Sequence, residues 1–264
     1  MIIIAENFNS SIPHVHQAIQ DQNIELLRTR AKQIADVGAD YLDINAGTFL
    51  EQEAEMLQLL AEAAEGSGLP YVIDSPDPEV ISFMLNKLQR KKQLINSITL
   101  ETNRFSKLVP LAREFDASLI ALLMDGSNMP ESPEQQLVIA DELISKLREQ
   151  GINDDRILLD PMIKPLATDC SAGQQAFLII SALRKKYPQV HITCGLSNIS
   201  FGLPERKYLN RAFLLQAMAM GLDSAIMNPL DQELLSLCHA GISLGGNDEY
   251  CMNYLEYFRP DSEE

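Results

Sequence analysis

Short apolar runs that stop abruptly at a carboxylate, an amide or a glycine recur along this chain. Tyr71-Val72-Ile73-Asp74, Leu94-Ile95-Asn96 and Ile157-Leu158-Leu159-Asp160 are three of them, and His191-Ile192-Thr193-Cys194-Gly195 leads into Leu196-Ser197-Asn198. Near-continuous apolar runs of this length suit strands buried on both faces, as in a parallel sheet covered by helices. Eight strands are predicted, at Ile2–Ala5, Tyr41–Asn45, Tyr71–Asp74, Leu94–Ser97, Ser118–Met124, Arg156–Asp160, His191–Gly195 and Ala225–Met227. Helical spacing fills the gaps. Ile24, Leu27, Ala31, Ile34 and Ala35 share a face that Gly38 ends, and similar patterns cover 51–65, 78–89, 104–114, 134–149, 174–186, 207–220 and 232–240.

Eight strand–helix units fit an α/β fold of the (β/α)8 TIM-barrel type better than an open doubly wound sheet. The latter usually has fewer strands and a phosphate-binding glycine turn, and neither GxGxxG nor GxxxxGK[ST] occurs. The length of 264 residues suits one such barrel as a single domain, 1–264, ending in a short acidic tail at 259–264. In segment 247–258, Cys251, Tyr254, Leu255 and Phe258 share one helical face, which is expected to pack on the core; barrel capping and subunit contact are the alternatives. The Gly-, Ser- and Pro-rich stretch 125–133 reads as a lid, a docking loop or an ordinary connection.

Composition narrows the partners. With 37 acidic against 21 basic residues the formal charge is −16, which argues against nucleic acid, because phosphate-backbone affinity rests on Lys and Arg. The apolar stretches are too short and punctuated for a membrane span. Met1-Ile2-Ile3-Ile4-Ala5-Glu6 lacks the basic start and cleavage site of a secretory signal and reads as a strand. Cys170, Cys194, Cys238 and Cys251 show no CxxC pairing, so neither a disulfide framework nor a zinc site is expected and a reducing cytoplasm is the default.

In such a barrel the C-terminal strand ends form the active face, so Asp43, Asn45, Asp74, Asn96, Asp160 and Asn198 are expected to converge. A set of acids and amides without histidine suits a flat heterocycle edged with donors and acceptors, and suits a metal poorly. Each member alone has a structural alternative as a turn or helix-cap residue, and Asp43 has the weakest claim, with Asn45 on its side of the strand and Gly47 signalling a turn. His14-Val15-His16 has the HxH form of barrel hydrolases but lies past the first strand, in the expected first loop. His191 opens its strand at the opposite face and His239 belongs to the last barrel helix, which leaves too few ligands for a metal. Cys194 has no histidine placed to activate it, and Ser197 is outside any GxSxG elbow.

Taken together, Asp43-Ile44-Asn45, Ile73-Asp74-Ser75, Ile95-Asn96-Ser97, Leu159-Asp160-Pro161 and the segment Gly195-Leu196-Ser197-Asn198-Ile199-Ser200-Phe201-Gly202-Leu203-Pro204 resemble the pterin-binding barrels. Within them the similarity is to methyltetrahydrofolate:corrinoid methyltransferases, including the folate module of cobalamin-dependent methionine synthase, and it runs from Glu6 to about Asn228. The resemblance implies tetrahydrofolate or 5-methyltetrahydrofolate as substrate, with Asp74, Asn96 and Asp160 holding the pterin. It implies that Gly195 and Ser197 shape the adjoining loop, that Arg206 lies near the folate, and that Asn198 is catalytic at N5. No acid is evident beside Asn198 to do the same work.

Where the family often reads Gly-Glu-Arg-x-Asn, this chain has Ala5-Glu6-Asn7-Phe8-Asn9, keeping Glu6 and Asn9 and losing the arginine. No DxHxxG corrinoid motif is present, so the corrinoid is expected on a separate partner protein, with a homodimer to help position the shared surfaces. Lys164, Arg206 and Lys207 are candidates to meet the folate's anionic tail. A dihydropteroate synthase-like transferase is the enzymatic alternative, although Gly195-Leu196-Ser197-Asn198 and Met227-Asn228-Pro229 lack that family's phosphate-handling residues. A non-catalytic folate-binding scaffold is the other.

Overall fold

A computed structural model of the chain describes residues 1–89, 92–124, 130 and 132–259. The elements follow in the order β1 (Ile2–Asn9), α1 (Pro13–Gln20), α2 (Ile24–Asp36), β2 (Tyr41–Asn45), α3 (Glu53–Ala64), β3 (Tyr71–Asp74), α4 (Pro78–Leu88), β4 (Leu94–Ile98), α5 (Thr102–Glu114), β5 (Ser118–Leu122), α6 (Pro133–Glu149), β6 (Ile157–Asp160), α7 (Ala172–Lys186), β7 (His191–Ile192), α8 (Arg206–Met220), β8 (Ser224–Met227), α9 (Gln232–Leu244) and α10 (Met252–Phe258).

The strands form one parallel sheet in the order β7-β6-β5-β4-β3-β2-β1-β8. The remaining seam, between β7 and β8, is closed by a single bridge at Gly195–Ile226 and by the Ile226 N–H donating to Cys194 O at 2.9 Å. This is the expected (β/α)8 barrel. Two layers of apolar side chains hold it. Ile4, Val72, Leu94, Ile120 and Leu158 fill the lumen, with Ile2, Tyr41, Leu122 and Ile226 beside them, while the opposite strand faces pack under the helices. The lumen is therefore a packed core and no ligand passes through it.

Local sequence explains the joints. Pro78 and Pro133 sit in the first turns of α4 and α6, where a missing N–H costs nothing, behind the caps Asp77 and Ser132. Gly221 ends α8 at φ +109°, and a Cβ there would lie 2.7 Å from Arg184 Cβ, so both the turn and the close approach demand glycine. At the bottom of the barrel Asp223 accepts from the Ile192 N–H at 2.8 Å and pairs with His191 and Arg184, which fixes the β7–β8 seam from below.

Several expectations need correction. β1 continues past Ala5 to Asn9. The His14-Val15-His16 stretch is not a loop but part of α1, where Val15, Ala18 and Ile19 pack inward. β5 ends at Leu122 rather than Met124, and β7 is two residues long, the chain leaving the sheet after the bridge at Gly195 to make a tight helical turn over Leu196–Ser200. The expected face of 247–258 does not pack on the core: Cys251, Leu255 and Phe258 are exposed, and Tyr257 instead stacks on His239 with centroids 4.0 Å apart. Tyr254 and Phe258 still share a face, their rings 4.5 Å apart, but Tyr250 and Cys251 take positive φ and redirect a helix that starts only at Met252, capped by Asp248 through the N–H groups of Asn253 and Tyr254. The stretch 125–133 and the tail 259–264 lie largely outside the described residues.

Candidate functional site

Side chains alternate along a strand, so the residue two beyond a lumen-filling one also points inward. Tyr41 is followed by Asp43 and then Asn45, Val72 by Asp74, Leu94 by Asn96, and Leu158 by Asp160. The parallel register sets Asn45 beside Asp74 and Asp74 beside Asn96. The polar ends of four strands therefore crown the apolar lumen at one mouth.

β1 adds a fifth. Its pairing with β2 slips between Ala5 and Phe8, so Glu6 and Asn7 together oppose Asp43 alone, which is a bulge. Glu6 accepts from the Ser197 hydroxyl at 3.2 Å and so joins the mouth to the turn that carries Asn198.

Burial makes this mouth electrostatically unusual. Asp43 is buried with one carboxylate oxygen lacking a partner, and burial, followed by the charges of Asp74 and Glu6, holds its carboxyl well above the ordinary range. Burial lifts Asp74 to about 6; the Asn45 amide, donating at 2.8 Å, and the charge of Arg104 oppose the rise, while Glu53 reinforces it. Asp160 is likewise raised to about 6 by burial, offset by the Met162 N–H at 2.7 Å. Glu6 is raised by burial against the smaller effects of Ser197 and Arg206. The sequence reading found no acid beside Asn198, whereas Glu6 stands against its turn.

Among the described residues Asp74, Asp160 and Glu6 each accept one hydrogen bond and Asp43 has an oxygen with none. Ionised, they accept strongly from ring N–H and amino groups; protonated, they can donate. Asn198 is exposed at the mouth, and among the described residues its amide makes no hydrogen bond. A Cβ on Gly195 would lie 3.0 Å from Asn198 Nδ2, so the bare backbone at Gly195 leaves room for that amide. Arg206 secures the same turn, donating to Ser197 O at 2.7 Å and to the Ser200 hydroxyl at 3.0 Å.

A cavity of about 610 Å³ opens beside the turn, with Glu6, Asn9, Ser197, Phe201, Arg206 and Lys207 in its wall. Ser197 and Arg206 thus share a cavity, whereas Asp74, Asn96 and Asp160 belong to the strand-end crown next to it. Lys164 is placed elsewhere, donating to Pro130 O at 3.2 Å. Cys194 is fully buried and its thiol is pushed well up, which suits packing and not nucleophilic attack. His16 is tied to Thr48 at 3.0 Å and stacked on Phe49, and among the described residues no cluster of three metal-ligating side chains occurs.

Residues 13–228 match the family model for pterin binding enzymes, a span that takes in every strand end of the mouth from β2 to β8. The chain belongs to the pterin-binding enzyme family. It is 36% identical to the methylcorrinoid:tetrahydrofolate methyltransferase of Eubacterium limosum over 98% of this chain and 96% of that one. It is also 33% identical to the methionine synthase of Mycobacterium tuberculosis over 66% of this chain, which spans 16% of that longer protein. Among solved structures it resembles dihydropteroate synthase from Thermus thermophilus, with a TM-score of 0.65 at 20% identity over 90% of this chain and 92% of that one. At that identity the likeness shows the barrel fold alone.

Sequence reasoning missed two contributors to this mouth. Glu53, the first residue of α3, is buried with one oxygen unpartnered, and Arg104, in the first turn of α5, is buried behind Asp74. Neither carried a signal: a charged residue near a helix start reads as solvent-facing until the loops around it are known.

Proposed function

We propose that this protein is a methyltransferase moving a methyl group between N5 of tetrahydrofolate and the cobalt of a corrinoid carried by a separate protein. The observation that carries this reading is the 36% identity, over 98% of the chain, to a methylcorrinoid:tetrahydrofolate methyltransferase, in a chain whose strand ends form a donor-poor mouth. A pterin edge offers ring N–H and amino donors, and Asp74, Asn96 and Asp160 receive them. The lumen below is filled by Ile4, Val72, Leu94, Ile120 and Leu158, so the pterin stops at the mouth.

Asn198 is the catalytic residue in this reading. A tertiary amine is a poor leaving group, so transfer of its methyl needs a hydrogen bond that strengthens as negative character grows on N5. An amide can donate to N5 or accept from its protonated form. Gly195 and Ser197 shape the turn that presents it, and Arg206 steadies that turn beside the folate. The corrinoid supplies the cobalt that gives or takes the methyl group. A macrocycle of that size meets N5 from outside, which agrees with the exposure of Asn198.

Arg206 and Lys207, both in the wall of the 610 Å³ cavity, are the better placed of the candidate cations for the folate's glutamate tail. A cytoplasmic location suits the four unpaired cysteines. No helix among the described residues is long and apolar enough to cross a membrane. A homodimer is supported by the apolar residues left outside near the C-terminus, Leu244, Tyr250 and Met252, at 87%, 85% and 62% exposure.

The test is Asn198→Ala, assayed with methyltetrahydrofolate and reduced Co(I) cobalamin by the loss of Co(I) absorbance. Methyl transfer should fall on the order of 100-fold or more while folate binding stays close to wild type. Equal turnover by the two proteins removes the catalytic assignment. Folate binding by the wild type with no Co(I) consumption favours the scaffold reading.

A further inference from the structure

The buried guanidinium of Arg104 has no part in the function as stated so far. It is 9% exposed, and among the described residues all its hydrogen bonds run to main-chain carbonyls. Nε donates to Ser97 O, Nη1 to Pro76 O, and Nη2 to Ser75 O at 2.8 Å. Ser75 directly follows Asp74 and Ser97 directly follows Asn96. One planar fork thus ties the turn after β3 to the last residues of β4, immediately beyond two residues of the pterin-facing wall. The Ser75 N–H, donating to Asn96 O at 3.2 Å, links that turn directly to β4.

From this geometry, and resting on the folate reading above, we propose that Arg104 is the positioning residue of the pterin-holding wall. Its guanidinium locks the ends of β3 and β4 together, so that Asp74 and Asn96 present one fixed spacing, and lends Asp74 a positive charge in an acidic neighbourhood.

The neighbourhood is acidic from every side. Asp74 faces Asp43 on β2 and Glu53 on α3, with Glu6 on β1 acting on Asp43 in turn; Asn45 is its neutral donor, and Arg104 on α5 is the cation acting on it. Glu101 and Asp77 in turn act on Arg104, and desolvation, the largest effect, draws its pKa down. Charge-assisted bonds to carbonyls are stronger than neutral ones, and removing the guanidinium leaves three carbonyl groups without their donor. A lysine can restore the charge but not the fork.

The experiment compares full-length wild type, Arg104→Lys and Arg104→Gln for tetrahydrofolate affinity across pH 5.5–8.5, for kcat and KM with Co(I) cobalamin, and for thermal unfolding. Arg104→Gln should weaken folate binding at least about 10-fold at pH 7 and move the binding midpoint to higher pH, because Asp74 then ionises less readily. Arg104→Lys should weaken binding several-fold with the midpoint unmoved. In both the loss should fall on KM and not on kcat, since Asn198 is untouched. A wild-type dissociation constant and pH midpoint in a folded Arg104→Gln overturns the assignment, as does a lower melting temperature with folate binding unchanged. If Arg104→Gln does not fold, Arg104→Lys decides alone, and wild-type affinity in that variant overturns the proposal. A wild type that binds no tetrahydrofolate overturns the folate reading itself, and this assignment with it.

Discussion

Replacing Asp160 by asparagine should make the ligand-free protein more stable and the enzyme worse. The carboxyl is raised from 3.8 to about 6, chiefly by burial. At about 1.36 kcal/mol per unit, that shift corresponds to about 3 kcal/mol. A carboxyl raised in this way binds its proton more tightly folded than unfolded, so the folded state loses stability as pH climbs from about 4 to about 6 and carries the full cost above that. Asparagine has the same shape, can still accept from the Met162 N–H, and never ionises. Asp160→Asn should therefore match wild type near pH 4 and exceed it by about 3 kcal/mol at pH 7.5. With an unfolding entropy of about 2.1 cal/mol/K per residue, that is about 5 °C in melting temperature. Folate affinity should move the other way, because a charged acceptor becomes a neutral one. Thermal or urea unfolding at the two pH values, paired with a tetrahydrofolate titration, checks both halves. A variant destabilised equally at pH 4 and pH 7.5 refutes the electrostatic account of the mouth.

Gly195→Ala places a methyl 3.0 Å from the Asn198 amide nitrogen and should lower kcat about tenfold, with little added loss when combined with Asn198→Ala. Additive losses in that double-mutant cycle would show that Gly195 acts independently of Asn198. For the proposed homodimer, Leu244→Lys together with Tyr250→Lys should halve the mass seen by light scattering while folate binding persists; an unchanged mass would refute a homodimer through this face.

Much of the fold was legible because strands buried on both faces advertise themselves as unbroken apolar runs. Val72, Leu94 and Leu158 fill the lumen, and the polar residue two places on, Asp74, Asn96 or Asp160, is then carried inward by the same alternation. The parts that were hidden follow from geometry with no local signature. α1 is short, and the Pro13 that opens it was the signal available in a stretch read as loop. Tyr250 and Cys251 at positive φ break the segment and redirect the helix that follows, so the face shared by Tyr254, Leu255 and Phe258 does not meet the core. Arg104 was invisible because its partners are carbonyls, which every residue carries, brought together by the turn after β3 and the end of β4. Asp43 seemed the least persuasive acid, yet it is the one most completely enclosed, since what distinguishes it is the neighbouring strands and not its own motif.

The bulge in β1 separates two demands that usually travel together. Below it, Ile2 to Ala5 pair in register with β8, and the barrel needs nothing from the extra residue. Above it, the extra residue sets Phe8 against Ile44 and Asn9 against Asn45, one place later than an unbroken ladder would. In evolutionary terms the chemistry at this edge depends on the length of the strand as much as on its letters. An alignment that closes the gap by one position would keep the barrel while setting Asn9 out of register at the cavity wall. A relative lacking that residue would share the architecture, and an acid at the place of Glu6, while presenting a different residue where Asn9 meets the cavity.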